Sequence, residues 1–241
     1  GADRHRRGVG ERHRVGDDLL IGGAGADTLI GGAGFDSADY SGSGGAVTVD
    51  LVAGTGIGGD AQGDRLQGVE RLIGSGFDDV LTGDGFDNVL VGGAGADRLT
   101  GGAGIDTADY STSGAAVNAV LGGTGSGGDA QGDVLTGIEN LVGGGFGDVL
   151  VGDGAANALS GAAGDDRLVG NGGEDRLDGG AGVDIADFST RASAVTADLA
   201  AGTASDGVSM AAIEGLIGSA FDDVLNGDAG DNRLVGGRGA D

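Results

Sequence analysis

The chain has 241 residues, sixty of them Gly, with no Pro, Cys, Trp or Lys and a net charge of −25. The missing cysteine excludes a disulfide framework, a thiolate metal site and a cysteine nucleophile, and the missing proline excludes collagen. So large an acidic excess argues against nucleic acid or an anionic membrane as partner, and no apolar run approaches the roughly 18 residues of a membrane-spanning helix.

In chain order, residues 1–16 (GADRHRRGVGERHRVG) form an atypical Arg-rich segment holding both histidines, His5 and His13, which read as surface residues. It reads either as a basic arm for a polyanion or as the frame-shifted translation of a spacer. From Asp17 onward the chain is a repeat, and a fixed period decides the fold before any other signal. Residues 22–30 read GGAGADTLI and 31–39 read GGAGFDSAD. The same nine-residue unit fills 74–109, 143–187 and 218–241, and a weak copy, HRVGDDLLI, covers 13–21. The expected organisation is one solenoid over 17–241. Its nonapeptide runs are 17–39, 74–109, 143–187 and 218–241, joined by wider-coil spacers at 40–73, 110–142 and 188–217.

Position 6 of the unit is an acid or amide and position 8 is usually Leu, as at Leu29, Leu81, Leu90, Leu99, Leu150, Leu159, Leu168, Leu177, Leu225 and Leu234. One apolar residue in nine cannot make an amphipathic helix, and Gly at positions 1, 2 and 4 would weaken a helix by roughly 1 kcal/mol each. The unit therefore reads as a six-residue glycine turn followed by a three-residue strand. Two units make one coil, with Leu from both sides forming a thin core. The spacers keep an acid-x-Leu trace at Glu70, Glu139 and Glu214, and their alternating AVTVDL (46–51) and AVTADL (194–199) segments read as strands. Tyr40, Tyr110 and Phe188, which open the spacers, are expected to be packing plugs.

The acids recur on one side of the coil every 18 residues. Stacked strands lie about 4.8 Å apart, so the carboxylates would form a ladder of like charges. Burial of one Leu contributes roughly 1.5–3 kcal/mol against about 9–18 kcal/mol of backbone entropy for nine residues. A cation is needed, and hard oxygen donors without thiol or imidazole suit Ca²⁺. The alternative, acids that only cap turns on a solvated face, fits the strict period poorly. For Asp60, Asp64, Asp129 and Asp133, in the two GGDAQGD segments, turn acids and additional ligands remain equally open. Asp39, Asp109 and Asp187 read as turn acids.

These units, GGAGADTLI and its copies, closely resemble the RTX (hemolysin-type) calcium-binding nonapeptides GGxGxDxUx, where U is a large apolar residue. The resemblance covers residues 17–241. It implies an all-β fold, a right-handed parallel β-roll or β-helix solenoid with Ca²⁺ between stacked glycine-rich turns. It implies acidic ligands at Asp18, Asp27, Asp36, Asp79, Asp97, Asp106, Asp148, Asp166, Asp175, Asp184, Asp223 and Asp241, and weaker amide ligands at Asn88, Asn157 and Asn232. Glu70, Glu139 and Glu214 match the Glu that the family places before a first nonapeptide. Carbonyl ligands at positions 2 and 4 would come from glycines such as Gly23, Gly25, Gly32, Gly34, Gly93, Gly95, Gly102, Gly104, Gly180 and Gly182. Pairing position-6 residues two units apart gives about ten Ca²⁺ sites.

The expected function is a non-catalytic calcium-binding module of a secreted Gram-negative bacterial protein, a structural and secretion-assisting scaffold that folds on extracellular Ca²⁺. The resemblance implies a type I exporter as a partner, and the absence of an N-terminal signal peptide agrees with that route. The chain starts without Met and stops within a unit, so it is expected to be a fragment. No HExxH, GxSxG or Cys-His pair is present, and no catalytic residue or organic cofactor is expected. Two alternatives are the C-terminal part of a larger secreted enzyme (protease, lipase or polysaccharide-modifying) and an adhesin or surface-layer repeat.

Overall fold

The structure, a computed structural model, describes residues 14–241. The expectations for the Arg-rich segment fall almost wholly outside the described residues. Among those residues there is no α-helix, only short strands and three single 3₁₀ turns, Gly59–Ala61, Gly128–Ala130 and Ser205–Gly207. The chain divides into two compact units. One comprises the chain up to Tyr110 together with Gly122–Ile138, and the other comprises Ser111–Leu121 with Glu139–Asp241.

In the first unit one row of parallel strands runs Leu19–Leu20, Ser37–Asp39, Arg71–Ile73, Val89–Val91 and Thr107–Asp109. A second row contains Thr28–Ile30, Arg65–Gln67, Thr48–Asp50, Val80–Thr82, Arg98–Thr100 and Val134–Thr136. In the second unit the rows are Asn118–Val120, Val149–Val151, Arg167–Val169, Ile185–Asp187, Gly215–Ile217 and Arg233–Val235, and, opposite, Asn140–Val142, Ala158–Ser160, Arg176–Asp178, Ser209–Ala211, Thr196–Asp198 and Val224–Asn226. Within a run the register is i to i+18, as in Leu81 against Leu99 and Leu150 against Leu168. Two nonapeptides therefore make one coil, as the period predicts. Across a spacer the step widens, to Val49 against Leu81 and Leu99 against Leu135.

The strands are three residues long because only position 8 faces inward. Leu72, Leu81, Leu90, Leu141, Leu150, Leu168, Leu177 and Leu216 are fully buried, while most of the residues flanking them are half-buried or exposed, Val91, Val169 and Gly215 being buried as well. The closing residues Ala38, Ala108 and Ala186 are buried in the same line.

The spacers depart from a simple wide coil. Thr48–Asp50 turns back on Thr55–Ile57 in an antiparallel pair, and Thr196–Asp198 does the same with Thr203–Ala204. The reversal goes through Gly54 and Gly202, both at positive φ (64° and 66°), a conformation that glycine adopts without steric cost. The first and third spacers thus each insert a small hairpin between parallel coils. The alternating patterns at 46–51 and 194–199 located its first strand and gave no sign of its return.

Candidate metal centre

The repeat contains two kinds of turn. In the first kind, positions 2 and 4 are both left-handed, as at Gly102 and Gly104 (φ 119° and 123°) and at Gly180 and Gly182 (96° and 152°). Turns 22–27, 31–36, 92–97, 101–106, 179–184 and 236–241 are of this kind. So are 161–166 and 170–175, where Ala162 and Asn171 take the strained φ at position 2 (73° and 64°). In the second kind, at 74–79, 83–88, 143–148, 152–157, 218–223 and 227–232, no residue has positive φ. Position 2 is then mostly Ser or Asp and position 4 mostly Phe or Ala. The hydroxyl or carboxylate at position 2 accepts the position-4 N–H, as Ser75 does from Phe77 at 3.2 Å and Asp84 from Phe86 at 2.9 Å. This is the local turn chemistry of such side chains.

Position 6 ties the coils together. The N–H of Asp79 donates to Oδ1 of Asp97 (2.8 Å), that of Asp148 to Asp166 (2.7 Å), that of Asp166 to Asp184 (2.8 Å) and that of Asn157 to Asp175 (3.1 Å). Asp18 stands in the same relation to Asp36, Asn88 to Asp106, and Asp223 to Asp241. Glu70 and Glu214 take this part where a run meets a spacer, their Oε2 accepting the N–H of Asp36 (2.8 Å) and Asp184 (2.9 Å). Asn88 and Asn157 donate their amide NH₂ to the carbonyls of Glu70 and Glu139. Asn232 accepts from Asp228 within its own turn.

The second carboxylate oxygen separates the two kinds of turn. In the second kind it is satisfied locally. Oδ2 of Asp148 accepts Gly144 N–H (2.5 Å), Oδ2 of Asp223 accepts Ser219 N–H (2.6 Å), and Oδ2 of Asp79 accepts Ser75 N–H. In the first kind, Oδ2 of Asp27, Asp36, Asp97, Asp166, Asp175 and Asp184 is buried and has no hydrogen-bond donor. A buried polar atom without a partner is costly, and more so when charged.

Beside the position-6 carboxylates of both kinds of turn lies a second set of oxygens. A Cβ placed on Gly143 would fall 2.5 Å from Oδ2 of Asp148 and 2.8 Å from the carbonyl of Gly161, one coil further on. A Cβ on Gly161 would likewise meet Oδ2 of Asp166 and, at 2.7 Å, the carbonyl of Gly179. The same pairing recurs in second-kind turns at Gly74 and Gly218, and in first-kind turns at Gly31, which faces Asp36 and the Gly68 carbonyl, and at Gly179, which faces Asp184 and the Ala212 carbonyl. Position 1 is therefore glycine because a side chain would fill the gap between a carboxylate and the next coil's carbonyl. Among the described residues, no group of three or more acidic or imidazole side chains converges. A cation here would draw on one or two carboxylates and several carbonyls, an all-oxygen donor set that fits Ca²⁺. The position-1 carbonyls were not singled out from sequence. The left-handed glycines at positions 2 and 4 stack on the coil before, Gly93 over the Ser75 carbonyl and Gly95 over that of Phe77.

Burial raises the carboxylate pKa values. Asp97 is pushed up to about 7, mainly by desolvation and then by Asp133 and Asp79. Asp166 and Asp175 rise to about 6, again mainly by desolvation, and Asp184 rises too. Desolvation disfavours the charged form of these groups, and a positive charge beside them would favour it.

In the first two spacers Asp64 and Asp133 copy the position-6 geometry. Their Oδ1 atoms accept the N–H groups of Asp27 (2.7 Å) and Asp97 (2.9 Å). Their Oδ2 atoms accept the hydroxyls of Tyr40 (3.1 Å) and Tyr110 (3.0 Å). The two tyrosines are buried plugs, as expected, and they are also hydrogen-bond caps. Asp39 and Asp187 accept N–H groups two residues on, as turn acids do. A further acidic ladder, unnoticed in the sequence, lies at position 5. There Asp17, Asp78, Asp87, Asp165 and Asp222 each accept an N–H from the residue 18 positions later. Its signal was the doubled acid of FDD, FDN and GDD.

The family model of the RTX calcium-binding nonapeptide repeat matches residues 15–38, 73–108, 133–166, 151–186 and 216–241, which together make up more than half of the chain. The matches follow the nonapeptide runs and leave out most of the spacers. The comparison with curated proteins found no match.

Proposed function

The chain belongs to the RTX calcium-binding nonapeptide-repeat family, and from that premise we propose that its glycine turns hold Ca²⁺ at the position-6 carboxylates and that this binding drives folding. RTX repeats are typical of secreted proteins of Gram-negative bacteria, and the chain is a calcium-binding repeat module of that kind. The observation that carries the proposal is that, among the described residues, Oδ2 of Asp27, Asp36, Asp97, Asp166, Asp175 and Asp184 is buried with no hydrogen-bond donor, in turns whose position-1 glycine leaves room beside it.

When bound, the ion supplies the positive charge that these oxygens lack. The residues do the rest. Oδ1 of each first-kind turn fixes the coil before it through a backbone N–H, so a carboxylate held in place by a cation also holds the register of two coils. Without that charge the ionised ladder repels itself, and a core of one Leu per unit does not hold the coils together. About ten ions, pairing position-6 residues 18 apart, would bring the net charge of −25 close to neutrality. In calcium-poor cytoplasm the chain would stay unfolded and fit for a type I exporter. In millimolar extracellular Ca²⁺ it would fold, because binding free energy is folding free energy. Its role in the parent protein is then that of a scaffold which becomes rigid after export.

The test is far-UV circular dichroism of the chain in EDTA, then in rising Ca²⁺, with Mg²⁺ as control. A strand signal that grows cooperatively with Ca²⁺ and not with Mg²⁺ supports the reading. A full strand signal in EDTA at neutral pH contradicts it.

A further inference from the structure

The third spacer differs from the other two at three linked positions. Where the first two have Tyr40 and Tyr110, it has Phe188 and so lacks the hydroxyl. Where they have Asp64 and Asp133, it has Val208. The register is set by Asp27, Asp97 and Asp175, whose carbonyls accept the N–H of Arg65, Val134 and Ser209, the residues that directly follow Asp64, Asp133 and Val208. Where they have Ser43 and Ser113, three residues after the aromatic, it has Arg191. The backbone is alike, since Ser43 N–H donates to Tyr40 O and Arg191 N–H to Phe188 O, both at 2.9 Å.

Arg191 is buried. One guanidinium nitrogen, Nη2, lies 3.6 Å from Oδ2 of Asp175, and the other, Nη1, donates to Asp206 at 3.0 Å. Its Cζ stands 6.0 Å from the centroid of the Phe188 ring, within cation–π range. Of the six donorless carboxylate oxygens, that of Asp175 alone has an arginine ion pair recorded beside it among the described residues.

We propose that Arg191 is a tethered cation that takes the place of calcium at Asp175, so that this coil closes without a metal ion. This rests on the reading of the other position-6 carboxylates as calcium ligands. The exchange is chemically consistent. Val208 has no side-chain oxygen to accept the N–H of Asp175 as Asp64 and Asp133 accept those of Asp27 and Asp97. A guanidinium is permanently charged and weakly hydrated enough to be buried there. A Ca²⁺ ion brought against a fixed guanidinium would be repelled. The third spacer thus fixes the end of its run by charge where the first two use hydrogen bonds.

The experiment counts bound calcium on the folded, calcium-saturated chain by equilibrium dialysis, in the parent and in Asp166→Asn, Asp175→Asn and Arg191→Ala. The expected result is that D166N lowers the count, D175N leaves it unchanged, and R191A with Asp175 intact gains one ion. If D175N lowers the count as D166N does, Asp175 is a calcium ligand and the inference is overturned while the proposed function stands. If neither Asn variant changes the count, the carboxylate reading falls and this inference falls with it. Should R191A fail to fold, the D166N and D175N pair still decides.

Discussion

Protons should stand in for calcium in part. Four buried carboxylates have pKa values well above the usual range, Asp97 at about 7 and Asp133, Asp166 and Asp175 at about 6, each raised chiefly by desolvation. In the unfolded chain these groups titrate near 3.8. The folded, metal-free state therefore binds protons more tightly than the unfolded one. The stabilisation is fully present below the unfolded pKa and is lost as pH rises through 6 to 7. Moving from pH 7.5 to 5.5 returns about 2 kcal/mol through Asp97 and about 0.8 kcal/mol through each of the other three, roughly 4 kcal/mol if they titrate independently. The assay is far-UV circular dichroism in EDTA across that range, followed by urea melts at pH 5.5. The strand signal should grow on acidification, and Asp97→Asn, neutral at every pH, should remove about half of the response. A signal that is flat or falls toward pH 5.5 would refute the claim that unneutralised buried carboxylates keep the metal-free chain unfolded.

Other consequences are local. Tyr110→Phe removes the hydroxyl that donates to Oδ2 of Asp133, and the buried acceptor left behind should cost about 1–3 kcal/mol in urea melts at saturating Ca²⁺. Gly95→Ala must place a Cβ 2.7 Å from the Phe77 carbonyl at φ 141°, whereas Gly114→Ala meets open space. The first should raise the calcium midpoint severalfold and the second should leave it unchanged. Leu150→Ala opens a cavity at a fully buried position and should cost about 2–5 kcal/mol. Leu234→Ala, at a position 43% exposed, should cost under about 1 kcal/mol by the same melts.

Much of this was legible because the period is a geometric quantity. Nine residues with one Leu and one acid fix turn, strand and an 18-residue coil, and the register of Leu81 on Leu99 follows. The position-6 residues could be named in advance for the same reason. What was not legible depends on contacts between coils. Whether Oδ2 of an Asp finds a donor is decided by the φ angles at positions 2 and 4. The sequence writes that difference as GGAGAD against GSGFDD, but its effect appears only once the N–H of position 2 is seen to turn toward Asp79 or away from Asp97. The tyrosine caps join residues 23 or 24 apart, and no nonapeptide period points to them. The hairpin return at Thr55–Ile57 was hidden because it is only three residues long, is centred on Gly56 and lies between Gly54 and Gly58, a glycine-rich context that reads as loop.

The central claim is that calcium lies against the second oxygen of the first-kind position-6 carboxylates. The most direct measurement is an anomalous difference map from crystals of the chain grown in Ca²⁺. The account predicts peaks within coordination distance, about 2.3–2.6 Å, of Oδ2 of Asp36, Asp97, Asp166 and Asp184, with carbonyls of the neighbouring coil completing each site. Peaks confined to the exposed position-5 acids, with those Oδ2 atoms bare, would contradict it.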